Sequence, residues 1–516
     1  MYNYDQALYS HQVFPISYLN YNFFSRKKEK YFAVLLLFPR ICYDTLRNTG
    51  IVGMHENRDY HMDFQGKRVL IMGLGLNGSG IASARYTAQH GAIVRVTDLR
   101  SAEVLAPSIQ ALAGLPIEYV LGGHRDEDFL WADIVIPVPG VRLSSPYLRI
   151  AREHGALITH EIVLFFEACP GRIIGITGTR GKTTTTTLIY EIIRATGVPT
   201  VIGGNVSGVE TLSLLPEIRP ETQVILEISC EQLNGMAAPA ISPSVAVMTN
   251  IYPDHLDKYD TMEEYIDAKA NIFRHQRANG MAVFNYDNPV TRRLGEEAAA
   301  ETWYASLERW GSFARGSSEI VPFLFTDTPL RGNHNLANIL LATTTARLLG
   351  VPDEIIATTI KHFRGVPYRQ EEVAVINGVR FINDTTSTMP IAGQIALQSF
   401  EEPIVLVAGG NTKHLPLEDW ASAIVQRCRD VVLLKGTGTD ELLPILQDAA
   451  ARQGIKNPVR GVFDNFTAAM DYAVSLARPG DTLLFSPGFT SFGMFHNEFD
   501  RGDKFVAYVR KLVRSG

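Results

Sequence analysis

Cysteine is scarce in this chain, with only Cys42, Cys169, Cys230 and Cys428 in 516 residues and no C-x-x-C spacing among them. That excludes a disulfide framework and a cysteine-based zinc site, and it fits a reducing compartment, so a cytoplasmic location is expected. An excess of positive charge is also missing. The formal net charge is -6 with 20% charged residues, without the basic stripe that nucleic acid demands, so no such partner is expected. Long apolar runs are lacking as well. The most apolar stretch near the start, residues 31–38, stops after eight residues at Pro39-Arg40, which is too short to cross a bilayer, and stable membrane insertion is not expected. The basic cluster Arg26-Lys27-Lys28-Glu29-Lys30 before it has no matching small-residue cleavage site behind the run, so the segment falls short of a signal peptide. Short repeats, low-complexity tracts and heptads are absent too, which excludes solenoids and coiled coils.

What is present is too much chain for one hydrophobic core. Residues 1–62 are rich in Tyr, Asn and Phe without a sustained period and read as a poorly ordered N-terminal extension. From Lys67 the pattern becomes strand, glycine turn, helix, strand, as in KRVLIMG, LGLNGSG, IASARYTAQHG and AIVRVTDL. It recurs from RIIGITG through TQVILEIS and SVAVMTNI, and again in VRFIND, PIVLVAGG, DVVLLKG and DTLLFSPG. Alternation of this kind predicts α/β domains with parallel sheets, here three in series over 63–167, 168–366 and 367–516. A monomer is the expected form.

The sharpest local signal is Thr177-Gly178-Thr179-Arg180-Gly181-Lys182-Thr183-Thr184, set between an apolar strand and a helix-compatible run. Small residues let backbone N–H groups approach phosphate oxygens, a lysine offsets their charge, and a hydroxyl can reach Mg²⁺. Ile176 stands where the strict G-x-x-x-x-G-K-[ST] form has glycine. A second turn, Gly73-Leu74-Gly75-Leu76-Asn77-Gly78, also follows a strand, with Asp98 at the end of the next one. Read alone, it suggests a dinucleotide-dependent oxidoreductase.

T-G-T-x-G-K-T is the form of the lysine loop in the Mur ligases and their folylpolyglutamate synthase relatives. The chain resembles that family in several more segments, taken in the family's order, with Arg180 in place of the usual Asn. Gly203-Gly204-Asn205 resembles a G-G-N segment whose Asn reaches substrate. Leu226-Glu227-Ile228-Ser229-Cys230-Glu231-Gln232-Leu233 resembles L-E-L-S-S-F-Q-L, whose Glu binds Mg²⁺. Thr249-Asn250 with Asp254-His255-Leu256-Asp257 resembles T-N-I-x-x-D-H-L-D, and Lys269 falls where the family has a lysine carbamylated by CO₂. The resemblance therefore implies a central P-loop ATPase-like domain holding ATP through Gly178, Thr179, Arg180, Gly181, Lys182, Thr183 and Thr184, and two Mg²⁺ sites drawn from Thr183, Glu227, His255 and carbamylated Lys269. Lys182, Glu227, His255 and Lys269 would be the catalytic set. Taken singly, Glu227 and Lys269 read as ordinary paired charges and His255 as a hydrogen-bonded structural residue.

The same resemblance assigns Asn335 and Asn338 to adenine and Arg369 with Asp384 to the ribose and phosphates. Within the family, the outer domains resemble the D-glutamate-adding branch. There Leu76 and Asn77 sit in the turn that binds the UDP diphosphate, and Asp98, Leu99 and Arg100 surround uracil. In the third domain Asn383-Asp384-Thr385-Thr386-Ser387-Thr388 resembles N-D-S-K-A-T, with Thr386 in place of Lys. Gly409-Gly410-Asn411-Thr412-Lys413 and 484–492 resemble G-G-x-x-K and L-L-S-P-A-x-A-S-F. Thr388, Lys413 and Ser491 would then bind the amino acid's carboxylates, and Phe499 would flank it. The implied fold is a Rossmann-like UDP-binding domain, the ATPase-like domain and a C-terminal Rossmann-like domain. The implied activity is ATP-dependent joining of D-glutamate to UDP-N-acetylmuramoyl-L-alanine, through an acyl phosphate, in peptidoglycan precursor synthesis. An L-glutamate-adding variant, another Mur ligase and folylpolyglutamate synthase remain open alternatives at this point.

Overall fold

The computed structural model describes residues 62–516 apart from 77, 207–208, 255–257, 324–326, 413–414, 492 and 516. Residues 1–61, the apolar run at 31–38, Asn77, His255 and Lys413 lie outside the described residues. Among the described residues no helix is long and apolar enough to cross a membrane.

Three sheets follow one another along the chain. The first contains β1 (Arg68–Met72), β2 (Ile93–Asp98), β3 (Ile117–Leu121), β4 (Ile134–Pro137) and β5 (Leu157–Ile158), all parallel, in the order β3-β2-β1-β4-β5. β1 reads R-V-L-I-M and is buried from its second residue on, as a strand covered by helices on both faces must be. The winding reverses between β1 and β4, so a crevice opens beyond their carboxyl ends. Gly73 leaves β1 at that point with φ 94, and a Cβ there would stand 2.6 Å from Val138 Cγ2. Only glycine passes so close in that conformation.

The central sheet contains β6 (Arg172–Thr177), β7 (Thr200–Gly204), β8 (Gln223–Glu227), β9 (Val245–Met248), β10 (Met281–Asn285), β11 (Glu301–Ser306), β12 (Gly311–Ala314) and β13 (Val321–Pro322). Its order is β13-β12-β11-β10-β9-β6-β8-β7, parallel except for an antiparallel edge made by β12 and β13. β6, which feeds the lysine loop, therefore lies between β8, which ends on Glu227, and β9, which leads to Thr249. The third sheet contains β14 (Glu371–Ile376), β15 (Val379–Asn383), β16 (Ile404–Gly409), β17 (Cys428–Leu434), β18 (Val459–Phe463) and β19 (Thr482–Phe485), in the order β14-β15-β19-β16-β17-β18. β14 and β15 form an antiparallel hairpin turned by Asn377 and Gly378, both at positive φ, the residue pair that a tight two-residue turn favours.

One apolar cluster runs continuously from the first sheet (Val69, Ile71) through Ile162 and Phe165 to the central sheet (Leu226, Met248). The faces of the third sheet have cores of their own, around Trp420 and around Phe485 with Phe505. Cys169, Cys230 and Cys428 are free, buried thiols.

The junction of the first two sheets holds a buried acid, Glu161, at the start of helix Glu161–Ala168. Burial pushes its carboxyl up to about 7, with Ser79 and the Leu212 N–H pulling down and Glu210 adding to the rise. An unfolded glutamate titrates near 4.5. Between these values the folded chain keeps a proton that the unfolded chain has released, so stability falls as pH rises through that window. Glu161→Gln is therefore expected to be more stable than the parent at pH 8, by about 3 kcal/mol at most, and no more stable near pH 4. Urea unfolding at the two pH values checks this, and an unchanged midpoint at pH 8 would refute it.

Candidate active site

The lysine loop leaves β6 at the middle of the central sheet, and helix Lys182–Arg194 starts directly after it with no side chain capping its N-terminus. The free N–H groups and the positive end of the helix dipole thus face the loop. Gly178 and Gly181 both have positive φ, and a Cβ on either would collide with Thr249 or Asn338 respectively. The loop's shape is fixed from behind by the segment after β9. Arg180 N–H donates to Asn250 Oδ1 at 2.9 Å, Thr249 Oγ1 and Asn250 Nδ2 donate to the Arg180 carbonyl at 2.6 and 3.0 Å, and Thr179 N–H donates to the Asn250 carbonyl at 2.8 Å.

Two ammonium groups meet on one carbonyl of this loop. Lys182 Nζ donates to the Gly178 and Thr179 carbonyls at 3.0 and 3.1 Å, and Lys269 Nζ donates to the same Gly178 carbonyl at 3.0 Å. Lys269 is only 2% exposed. Burial, and then the neighbouring Lys182, bring its pKa down to about 8. Tyr265 supports Lys269 and the loop, its ring 4.8 Å from Lys269 Nζ and its hydroxyl 3.1 Å from Thr179 Oγ1. Arg180 is held below its usual pKa by burial, while Asp254 raises it and Arg369 lowers it again. Cations gathered this closely repel one another, and the arrangement suits an anionic ligand.

Beside the loop, Glu227 is 2% exposed at the carboxyl end of β8. Its Oε1 accepts from Asn205 Nδ2 at 3.2 Å, whereas Oε2 is buried with no hydrogen-bond partner among the described residues. A buried carboxylate oxygen without a donor is unfavourable unless a cation or ligand completes it. Thr183 lies half-buried in the first turn of the helix, which packs over β8. Among the described residues no three His, Cys, Asp or Glu side chains gather into a metal cage. Asn338 faces Gly181, and Asn335 is buried with Nδ2 on the Arg331 carbonyl at 2.8 Å.

The third sheet brings its own loops together at the carboxyl ends of β15, β16 and β19. Asp384 is 5% exposed and accepts from Ser486 Oγ at 2.7 Å, from Ser387 Oγ and from the Gln370 N–H. Burial pushes it up to about 6, with the nearby Arg369 cation among the groups drawing it back. Arg369 thus lies within electrostatic reach of both Asp384 and Arg180. Its two neighbours, Tyr368 and Gln370, have φ of 68 and 47, a strain on the order of 1–3 kcal/mol each. The segment is pinned there because the Tyr368 carbonyl accepts from Thr386 N and Oγ1, and its hydroxyl donates to Asp503 at 2.7 Å. Phe499 packs edge-on against Tyr368 at 5.6 Å. Thr388 is half-buried and Ser491 buried. Their loops are joined by Gly488 N–H on the Ser387 carbonyl at 2.8 Å, and an Asn411–Thr490 bridge ties in the loop leading to 413.

At the first sheet, Asp98 turns inward. Its carboxylate accepts from the N–H groups of Leu74, Gly75 and Arg100 at 2.8, 3.1 and 2.9 Å. Burial raises its pKa, but these donors outweigh burial and leave it below the ordinary value. Leu76 and Leu99 stand 52% and 69% exposed beside this turn.

The loop residues, Lys269, Glu227, Asn205 and Asn338 therefore come together in the central sheet, and Asp384, Thr388 and Ser491 in the third. Sequence reasoning missed Tyr265, Ser387 and Ser486, and above all Arg501, a fully buried arginine that bonds two of the third-sheet loops. Ser387 and Ser486 lie in segments already singled out, but their bonds to Asp384, like the roles of Tyr265 and Arg501, arise only through tertiary packing.

Comparison with known proteins adds independent findings. Residues 176–346 match the Mur ligase middle domain, and residues 67–160 match the Mur ligase MurD-like, N-terminal domain. The UDP-N-acetylmuramoylalanine--D-glutamate ligase of Roseiflexus sp. (strain RS-1) is 44% identical over 474 residues, covering 88% of this chain and 100% of the relative. The ligase of the same description from Acetivibrio thermocellus is 34% identical over 467 residues, covering 88% and 98%. Among solved structures, the UDP-N-acetylmuramate-alanine ligase of Thermotoga maritima shares the fold with a TM-score of 0.53 at 20% identity, over 86% of this chain and 99% of that one. The MurF ligase of the same organism, solved in complex with ADP, gives 0.52 at 16% identity, over 90% and 97%.

Proposed function

The chain belongs to the Mur ligase family, and from that premise we infer that it is the ATP-dependent ligase that joins D-glutamate to UDP-N-acetylmuramoyl-L-alanine in peptidoglycan precursor synthesis. The observation that carries the chemistry is Lys182 seated on the Gly178 and Thr179 carbonyls at an uncapped helix start, beside Glu227, whose buried Oε2 has no hydrogen-bond partner among the described residues. That arrangement suits a triphosphate with its counter-ions.

A carboxylate is a poor electrophile until one of its oxygens becomes a leaving group. On this reading the alanine carboxylate of the nucleotide substrate attacks the γ-phosphorus of ATP. The new O–P bond forms as the bond to the β-phosphate oxygen breaks, and ADP leaves. Lys182 and the loop N–H groups stabilise charge on the transferring phosphoryl oxygens. The glutamate amine then attacks the acyl carbon, loses a proton, and inorganic phosphate departs. Gly178, Thr179, Arg180, Gly181, Thr183 and Thr184 hold the phosphates, Asn335 and Asn338 the adenine, and Arg369 with Asp384 the ribose side.

The residues present fit Mg²⁺. Glu227 Oε2 and the Thr183 hydroxyl would offer hard oxygens to one ion, and His255 with a Lys269 carbamate would hold a second. When bound, Mg²⁺ supplies neutralisation of the triphosphate. Lys269 is suited to carbamate formation because its depressed pKa gives it an appreciable neutral fraction near physiological pH; the neutral amine adds to CO₂ and releases a proton.

We read 63–167 as the unit for the nucleotide sugar, with Leu76, Asn77, Leu99 and Arg100 lining its base and diphosphate and Asp98 shaping the turn. We read 168–366 as the ATP unit and 367–516 as the amino-acid unit, with Thr388, Lys413, Ser491 and Phe499 around glutamate and Asn205 reaching the acyl end. The dinucleotide reading loses its support because residues 67–160, which contain this turn, match the Mur ligase MurD-like, N-terminal domain.

Phosphate release from ATP in the presence of UDP-N-acetylmuramoyl-L-alanine tests the assignment. It is expected to depend on D-glutamate and to proceed poorly with L-glutamate. Equal rates with both would leave the ligase class and remove the stereochemical assignment, and release with neither would remove the substrate assignment.

A further inference from the structure

We propose that Arg501 is a positioning residue for the incoming amino acid, holding in register the two loops that carry Thr388 and Ser491 without touching substrate. The proposal rests on the reading of the third-sheet site given above. Arg501 lies in the first turn of the terminal helix Glu498–Ser515 and is 0% exposed. Arginine is almost never so fully buried unless its donors are engaged. Here Nε donates to Thr385 Oγ1 at 2.9 Å, Nη2 to the Thr385 carbonyl at 2.8 Å and Nη1 to the Phe489 carbonyl at 3.1 Å. Thr385 belongs to the loop after β15 that carries Thr388, and Phe489 to the loop after β19 that carries Ser491.

The guanidinium therefore bridges two loops from one rigid plane. Thr385 Oγ1 in turn donates to the Glu498 carbonyl at 2.9 Å, which closes a ring from helix to loop and back. The next residue, Gly502, has no room for a side chain, since a Cβ would stand 2.6 Å from Thr385 Cγ2 and closer still to the Tyr368 ring. The helix is thus seated directly on the loop and on the strained linker that carries Arg369. All three of the bonds go to uncharged oxygens, while Glu498 and Asp384 act on the cation only through space. An ion pair alone could be made by lysine. A planar fork that reaches a hydroxyl and two carbonyls on separate loops cannot.

Arg501→Lys keeps the charge and loses the fork. The KM for D-glutamate is expected to rise roughly tenfold or more, because small displacements of binding groups weaken orientation steeply. The KM for the nucleotide substrate should stay within about twofold, and that for ATP should rise less than that for glutamate, because Asp384 shares the Thr385 loop but Arg501 bonds it only through Thr385. Thr385→Val removes the hydroxyl from the other side with little change of shape, and is expected to raise the same KM. The double variant should be no worse than the worse single one, as for two residues of one bonded unit. An unchanged glutamate KM in folded Arg501→Lys overturns the proposal, as does a proportional rise in all three KM values, which is the mark of general disruption. If Arg501→Lys does not fold, Thr385→Val decides on the same criterion. The parent enzyme is assayed first with D-glutamate, so failure of the functional reading appears there and failure of the positioning role appears only in the variants.

Discussion

Phosphate release from ATP is expected to fall at least about 10³-fold when Lys182 is replaced by alanine, because a preorganised cation on a transferring phosphoryl group is among the largest single contributions to such a reaction. The side chain arises at the helix start and curls over the loop to the Gly178 and Thr179 carbonyls. Its bonds are to two carbonyls of its own loop, so the fold should tolerate the change. A second consequence separates the loss from misfolding. Lys182 is one of the groups that lower the pKa of Lys269, so its removal should let that pKa rise. Chemical modification of Lys269 followed against pH reads this directly. A variant that keeps more than about a tenth of the parent rate would contradict the role given to this lysine.

Glu227→Gln is expected to reduce turnover by about 10²- to 10³-fold while leaving thermal stability equal or higher. The two effects have one origin. Glu227 buries a carboxylate whose Oε2 has no donor among the described residues, which disfavours the folded state, whereas the amide is neutral and can still bond Asn205. A residue kept at a cost to stability is the pattern expected where ligand binding, not folding, requires the charge. Mg²⁺ titration of the rate should show a weakened half-saturation in any residual activity. A variant that loses stability in parallel with activity would point to a structural carboxylate instead.

Much of the central site was legible in the sequence because phosphate binding needs contiguous residues. Strand, glycine, lysine and hydroxyl fall between Thr177 and Thr184, and the order of β6, β8 and β9 then places Glu227 and Thr249 beside them whatever the intervening loops do. The parallel character of the sheets was also readable from runs such as 68–72, whose apolar residues are continuous rather than alternating. The antiparallel edges were not read. β12 and β13 are short and only partly apolar, though Asn377-Gly378 did offer a hairpin signal for β14 and β15.

Asp98 shows why a spacing motif is insufficient. An acid at the end of the second strand reads as a ribose contact, yet in the fold its carboxylate also holds the preceding turn, accepting from the N–H groups of Leu74 and Gly75. Arg501 was invisible for the opposite reason. It sits among Glu498, Asp500, Asp503 and Lys504, where a surface charge is the natural reading, and only the docking of the helix onto 385 and 489 buries it. The left-handed Tyr368 and Gln370 are likewise imposed by tertiary bonds, since neither residue type favours that conformation.

The central claim is that this site passes the end group of a triphosphate to a carboxyl oxygen. Substrate labelled with ¹⁸O in the alanine carboxylate of UDP-N-acetylmuramoyl-L-alanine tests it most directly, by mass analysis of the phosphate released during ligation. Transfer of one labelled oxygen to each phosphate is the predicted result. Phosphate free of label, released at the same rate as amide formation, would contradict it.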